Sequence, residues 1–148
     1  MSVDVLRFVQ TFGAALITGQ AIELETDYQR SSALLLGLLL LMAGEDLDRL
    51  SERLVEENRL LRELLTDGRQ FVEDEAVSAR LLALAGESDP GLRISVLQAA
   101  NDRLRRGLIE LHTAVEVSAL GEARAFEDRI WQELARSVER RRSMLAPL

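Results

Sequence analysis

Two eleven-residue stretches, VEENRLLRELL at 55–65 and QAANDRLRRGL at 98–108, set the same polar pair into a run of leucines: Asn58 with Arg62, and Asn101 with Arg105. Residues four apart lie on one face of a helix, so each Arg sits one turn beyond its Asn. The apolar partners keep the same step. Leu54, Asn58, Leu61 and Leu65 advance by four and three, as do Leu97, Asn101, Leu104, Leu108, Leu111 and Val115. This is the spacing of a seam between helices, and an asparagine inside such a seam costs stability while fixing register. Two chemistries are open to these five residues. With Glu57 as counter-charge, the amides and guanidiniums form a polar layer; alternatively Arg62 or Arg105 clamps the carboxylate of a small ligand held between helices.

The other residue types exclude more than they suggest. His112 is the only histidine, so a dinuclear iron site with a Glu-x-x-His on each of two helices cannot be built. His112 and Glu116 share a helix face, but no further ligand follows at a recognisable spacing, and His112 reads as an ordinary surface or interface residue; no metal or other cofactor is expected. The chain has no cysteine, which removes thiolate chemistry and disulfides, and all 18 basic residues are Arg, which removes lysine Schiff bases and phosphate-loop lysines. No glycine-rich nucleotide loop, nucleophile elbow or calcium loop occurs. A formal charge of -7 argues against a nucleic-acid partner. The one basic run, Arg140-Arg141-Arg142, reads as cations at a helix C-terminus. The carboxylate clusters Glu45-Asp46-Asp48, Glu56-Glu57 and Glu73-Asp74-Glu75 read as solvated faces, and Trp131 and Tyr28 as core anchors.

Helices must position these groups. Leu, Ala, Glu and Arg dominate and strand-favouring residues are sparse, so the expected fold is all-α, an up-and-down bundle of four principal helices, two of them long, in a single domain over residues 1–148. Helix 1 is expected from Ser2 to between Thr18 and Leu24. Thr26-Asp27-Tyr28-Gln29 fits a capping box and opens a helix of about 40 residues, closed by Gly68 in a left-handed conformation and with a kink allowed at Gly44. A third helix runs from Phe71 or Asp74 to Ala85, with Gly86 as its stop. Asp89-Pro90 reads as cap and first residue of the fourth, which changes step near Gly121 and there kinks or breaks in two.

The stretch 34–41 carries seven leucines in eight positions. Its uncharged span is about 21 Å of helix against the roughly 30 Å of a bilayer core, so it is read as a buried core helix, with Gly37 permitting a close approach, and not as a membrane span. A subunit interface is the rival use. No signal peptide is read at the start of the chain. Residues 39–45 and 81–87 match at five of seven positions, and with Ser88 as an insertion the match runs on through Asn58/Asn101 and Arg62/Arg105, which suggests an internal duplication. From these residues the expected function is a non-enzymatic, cytoplasmic interaction or scaffolding protein, homodimeric and able to engage another protein. A small-ligand bundle is the alternative, and an enzyme working by Arg and carboxylate electrostatics a more distant one.

Overall fold

The structure, a computed structural model, describes residues 4–20 and 24–141. It is all-helical, with α1 (Val5–Ile17), α2 (Asp27–Asp67), a 3-10 turn (Gly68–Phe71), α3 (Glu75–Gly86), α4 (Ile94–Val117) and α5 (Ala123–Arg140). The count is five helices where the sequence suggested four, because the change of step near Gly121 is a full break. The contacts divide the chain into two compact units, one up to Leu50 and the other Ser51–Arg141, and α2 contributes to both.

The first unit is an antiparallel helical hairpin. Asp4 caps α1 by accepting the Arg7 N–H, and Ser2, the expected start, lies outside the described residues. Thr26 and Gln29 form the reciprocal capping box that opens α2: the Gln29 N–H donates to Thr26 Oγ1 (3.2 Å) and the Thr26 N–H to Gln29 Oε1 (3.0 Å). The buried residues are Gly13 and Leu16 of α1 and Ala33, Gly37 and Gly44 of α2. A Cβ on Gly37 would lie 2.7 Å from the Gly13 carbonyl oxygen, so only glycine lets the two backbones meet here. Gly44 faces Leu6, Val9 and Gln10, and α2 runs through it without a break.

The leucine run does not fill a core, contrary to the sequence reading. Leu34, Leu35, Leu36, Leu38 and Leu39 are 42–60% exposed. The cause is geometric. At 100° per residue, Ala33, Gly37 and Gly44 form one stripe, which α1 covers; Leu35, Leu38 and Leu39 stand opposite it and Leu34 and Leu36 flank it.

The second unit is an up-down-up-down bundle. Asn58 meets Asn101, Leu65 lies by Gly107 and Gly68 by Leu111, so the second half of α2 runs parallel to α4. The Arg80–Glu110 and Arg103–Glu87 pairs set α3 antiparallel to α4, and the Arg129–Asp67 and Ser137–Glu57 contacts set α5 antiparallel to α2. The core holds Leu61, Leu65, Leu81, Leu104, Leu111 and Ile130 among others, each at most 5% exposed, with Phe71 tilted on Phe126 at 5.0 Å. Gly68 is needed for space and not for a positive φ: a Cβ there would meet Leu111 at 2.6 Å and Phe126 at 2.7 Å.

Two further expectations are corrected. Asp89-Pro90 does not start α4, which begins at Ile94 with Arg93 as N-cap. The Asp89 carboxylate is occupied sideways by Asn58 and Arg62 and so does not cap a helix. The two repeats also take different paths. The first is one unbroken stretch of α2, whereas the second is the end of α3, the segment 87–93 and the start of α4. Pro90, which has no N–H and clashes with a preceding turn, stands where continuation would be required. What the repeats share is their second halves, which lie side by side in parallel with Asn against Asn.

Candidate functional site

The five residues singled out in the sequence come together inside the second unit. Asn58 and Asn101 project from α2 and α4 into the seam and are fully buried or nearly so, at 0% and 4% exposed. Asn101 Nδ2 donates to Asn58 Oδ1 at 2.9 Å and to Glu57 Oε2 at 3.5 Å, while its Oδ1 accepts from Arg105 Nε at 2.8 Å. Asn58 Nδ2 donates to Asp89 Oδ1 at 3.0 Å and to the Leu97 carbonyl at 3.3 Å. Both amides therefore have their donors and acceptor engaged, which is the condition under which a buried polar network specifies a core without a large penalty.

The layer ends in ion pairs on both sides. Arg62 Nη2 contacts Asp89 Oδ1 at 2.6 Å. Glu57, 2% exposed, is held by Arg105 Nη2 at 3.1 Å and Arg141 Nη2 at 2.8 Å, with Ser137 Oγ donating to its Oε1 at 3.3 Å. Burial opposes ionisation of Glu57, but hydrogen bonds from Arg141 and Arg105 outweigh it and hold the carboxyl below the usual glutamate range. Glu57 is thus not part of a solvated face; its neighbour Glu56 is, paired with Arg59 on the surface. Sequence reasoning missed Asp89, Ser137 and Arg141. Asp89 read as a helix cap, Ser137 carried no signal, and Arg141 read as a helix-end cation; of that basic run Arg142 lies outside the described residues.

This arrangement limits the chemistry. An anion clamp needs a guanidinium open to ligand, and both Arg62 and Arg105 are taken by carboxylates of the chain. A general acid needs a raised carboxyl pKa, and Glu57 is shifted the other way. The layer fits the role of a register device: two parallel helices of similar sequence could slide by a turn, and only one alignment pairs the amides. Its flanks are open. Arg62 and Asp89 border a surface groove of about 490 Å³, and Arg105 borders another of about 240 Å³ that extends to His112. A third groove of about 490 Å³ runs between the start of α3 and the end of α4, lined by Phe71, Val77, Ile109 and Val117 among others; its arginine, Arg80, is paired with Glu110.

Trp131 and Tyr28 are not core anchors. Tyr28 is 82% and Trp131 54% exposed, and Trp131 stands edge-on to the His112 ring with centroids 5.3 Å apart. The structure also gives His112 and Glu116 a third neighbour, Glu127 of α5, which no sequence spacing announced. Among the described residues no helix is long and apolar enough to cross a membrane. The chain matches no protein-family profile, no curated protein and no solved structure.

Proposed function

We propose that this chain is a non-enzymatic interaction protein that assembles with a second copy of itself through the leucine-rich face of its N-terminal hairpin. The observation that carries this reading is the exposure of Leu34, Leu35, Leu36, Leu38 and Leu39, beside Phe8 stacked on Phe12 and both exposed. Single exposed leucines are ordinary, but a continuous patch of this kind marks a contact surface. Taking roughly 200 Å² for a fully exposed large apolar side chain, the exposed parts of these residues with Val5 and Leu47 come to about 900 Å², the size that one partner buries in a stable interface. The run from 31 to 44 carries no charge, so a like surface meets it without desolvating an ion. Every copy presents the same patch, which is what a two-fold, self-complementary contact requires.

Sedimentation equilibrium tests the proposal. The full chain should form at least a dimer with a dissociation constant of about 1 µM or tighter. The double substitution Leu35→Glu/Leu38→Glu should give a monomer of unchanged helicity, because both side chains point away from α1. A wild-type monomer at about 100 µM overturns the assembly claim. A double variant that still dimerises moves the contact off the hairpin, and flotation of the wild type with phospholipid vesicles instead of dimerisation replaces the second copy by a lipid surface.

A further inference from the structure

We propose that His112, Glu116 and Glu127 form a divalent metal site on the seam between α4 and α5, suited to a borderline ion of the zinc type. Their donor atoms all lie within 4.8 Å of one another. His112 Nε2 is 3.8 Å from Glu116 Oε1 and 3.9 Å from Glu127 Oε1. Both gaps exceed hydrogen-bond reach, so the carboxylates do not satisfy the imidazole directly. Gaps of this size let an ion with bonds of about 2.0–2.2 Å bridge His112 to either carboxylate, and rotation of the exposed Glu116 side chain toward Glu127 brings the third donor into reach.

Three features separate this cluster from an ordinary surface grouping. First, His112 Nε2 is buried and has no hydrogen-bond partner. The other two buried side-chain nitrogens of which this is true among the described residues, Arg62 Nε and Arg140 Nε, belong to guanidiniums ion-paired through Nη2. Around His112 Nε2 the nearest opposite charges, Glu116 and Glu127, stand at 3.8 and 3.9 Å, within ion-pair range but beyond hydrogen-bond reach. Second, both inner ligands are held in place. Trp131 packs edge-on against the His112 ring and donates from Nε1 to Glu127 Oε1 at 3.5 Å, while Arg124 Nη1 takes the far oxygen, Glu127 Oε2, at 3.1 Å. Such outer partners commonly orient metal ligands. Third, Glu116 is 55% exposed, so solvent reaches the cluster and a water can complete the coordination. One imidazole with two carboxylates is a donor set that suits zinc and its first-row neighbours better than calcium or magnesium, which take oxygen alone.

The test uses the full, untagged chain, stripped with a chelator and titrated at about pH 7.5, where metal ligands compete well with protons. Zinc chloride should bind by calorimetry at one ion per chain with micromolar affinity, and nickel chloride should quench Trp131, the sole tryptophan. His112→Gln should weaken zinc by about 100-fold and Glu127→Gln by at least about tenfold, each with loss of the nickel quench; Asp128→Asn, one residue along α5, should change neither. Should His112→Gln lose helicity, Glu116→Gln, altered at an exposed position, must still weaken binding. Absence of saturable zinc binding up to about 1 mM, or zinc bound as tightly by His112→Gln as by the wild type, overturns the site.

Discussion

The two units of this chain solve opposite problems with similar material. The hairpin is rich in leucine and buries little of it: among its described residues the buried ones are three glycines, Ala33 and Leu16, with no ionisable group among them. The bundle of Ser51–Arg141 buries the leucines of its helix seams and yet encloses two amides, a carboxylate and a hydroxyl in the same core. The difference teaches that local hydrophobicity is a poor guide to where a core lies. A helix with one neighbour buries one stripe, whatever its other faces carry. Polar groups enter a core where several helices meet and every donor finds an acceptor.

The largest expected effect tests that contrast with one substitution type at two places. Leu65 is 0% exposed and sits against Gly107, so Leu65→Ala should cost about 2–5 kcal/mol of unfolding free energy. Leu35, 60% exposed, lies in the most leucine-dense part of the chain, and Leu35→Ala should change unfolding free energy by no more than about 0.5 kcal/mol, read on dilute protein below its association range. Urea denaturation followed by circular dichroism gives both numbers. Equal costs at the two positions would erase the distinction between the units.

The contrast also shows which parts of the molecule were legible beforehand. The helical class and the capping box at Thr26–Gln29 rest on local rules, which act within one or two turns, whereas Gly68 marks the end of α2 through the space it leaves for Leu111 and Phe126 and not through the left-handed turn expected of it. The approach of Asn58 to Asn101 was readable because a seam repeats at every turn, so an interruption at a matched step shows in the sequence. The exposure of the leucine run was not readable, since it depends on how many helices surround residue 35 and not on any residue near it. Glu127 was hidden for a similar reason. It reaches His112 only because α4 breaks at Val117 and α5 folds back antiparallel, and that direction is set by tertiary packing.

A second, intermediate effect concerns the amides. Asn58→Leu alone leaves Asn101 Nδ2 and the Asp89 carboxylate short of a partner, and Asn101→Leu alone leaves Asn58 Oδ1 and Arg105 Nε short of theirs. Each single substitution should destabilise by about 1–3 kcal/mol, the cost of an orphaned buried group. In the double variant the two leucines meet each other, so its cost should fall below the sum of the singles by at least about 1 kcal/mol. A double-mutant cycle in urea measures the difference. Additive costs would mean that the amides act separately, and the bundle would then tolerate buried polar groups without using them as a pair.

The smallest effect is a change of slope with pH, and it should appear in the bundle and not in the hairpin, among whose described residues no carboxyl is buried. Glu57 is ionised in the folded chain despite burial, because Arg141 and Arg105 hydrogen-bond to the charged form and depress its pKa. A depressed carboxyl pKa means that the unfolded chain binds the proton more readily than the folded one. Glu57 therefore adds stability that is fully present above the ordinary value of 4.5 and is lost as pH falls through the lower folded-state value. Glu57→Gln cannot take up that proton. It should be less stable than the wild type at neutral pH, since Arg105 and Arg141 lose their counter-charge, and the gap between the two proteins should stay constant down to about pH 5 and then narrow. Urea midpoints of both proteins across that range, followed by circular dichroism and by Trp131 fluorescence, supply the comparison, with the acid response of all other carboxyls common to the pair. A gap that stays constant to the lowest pH at which the fold survives would mean that Glu57 takes up its proton equally in the folded and unfolded chains, and a wild type that gains on the variant as pH falls would mean that Glu57 is neutral in the folded chain.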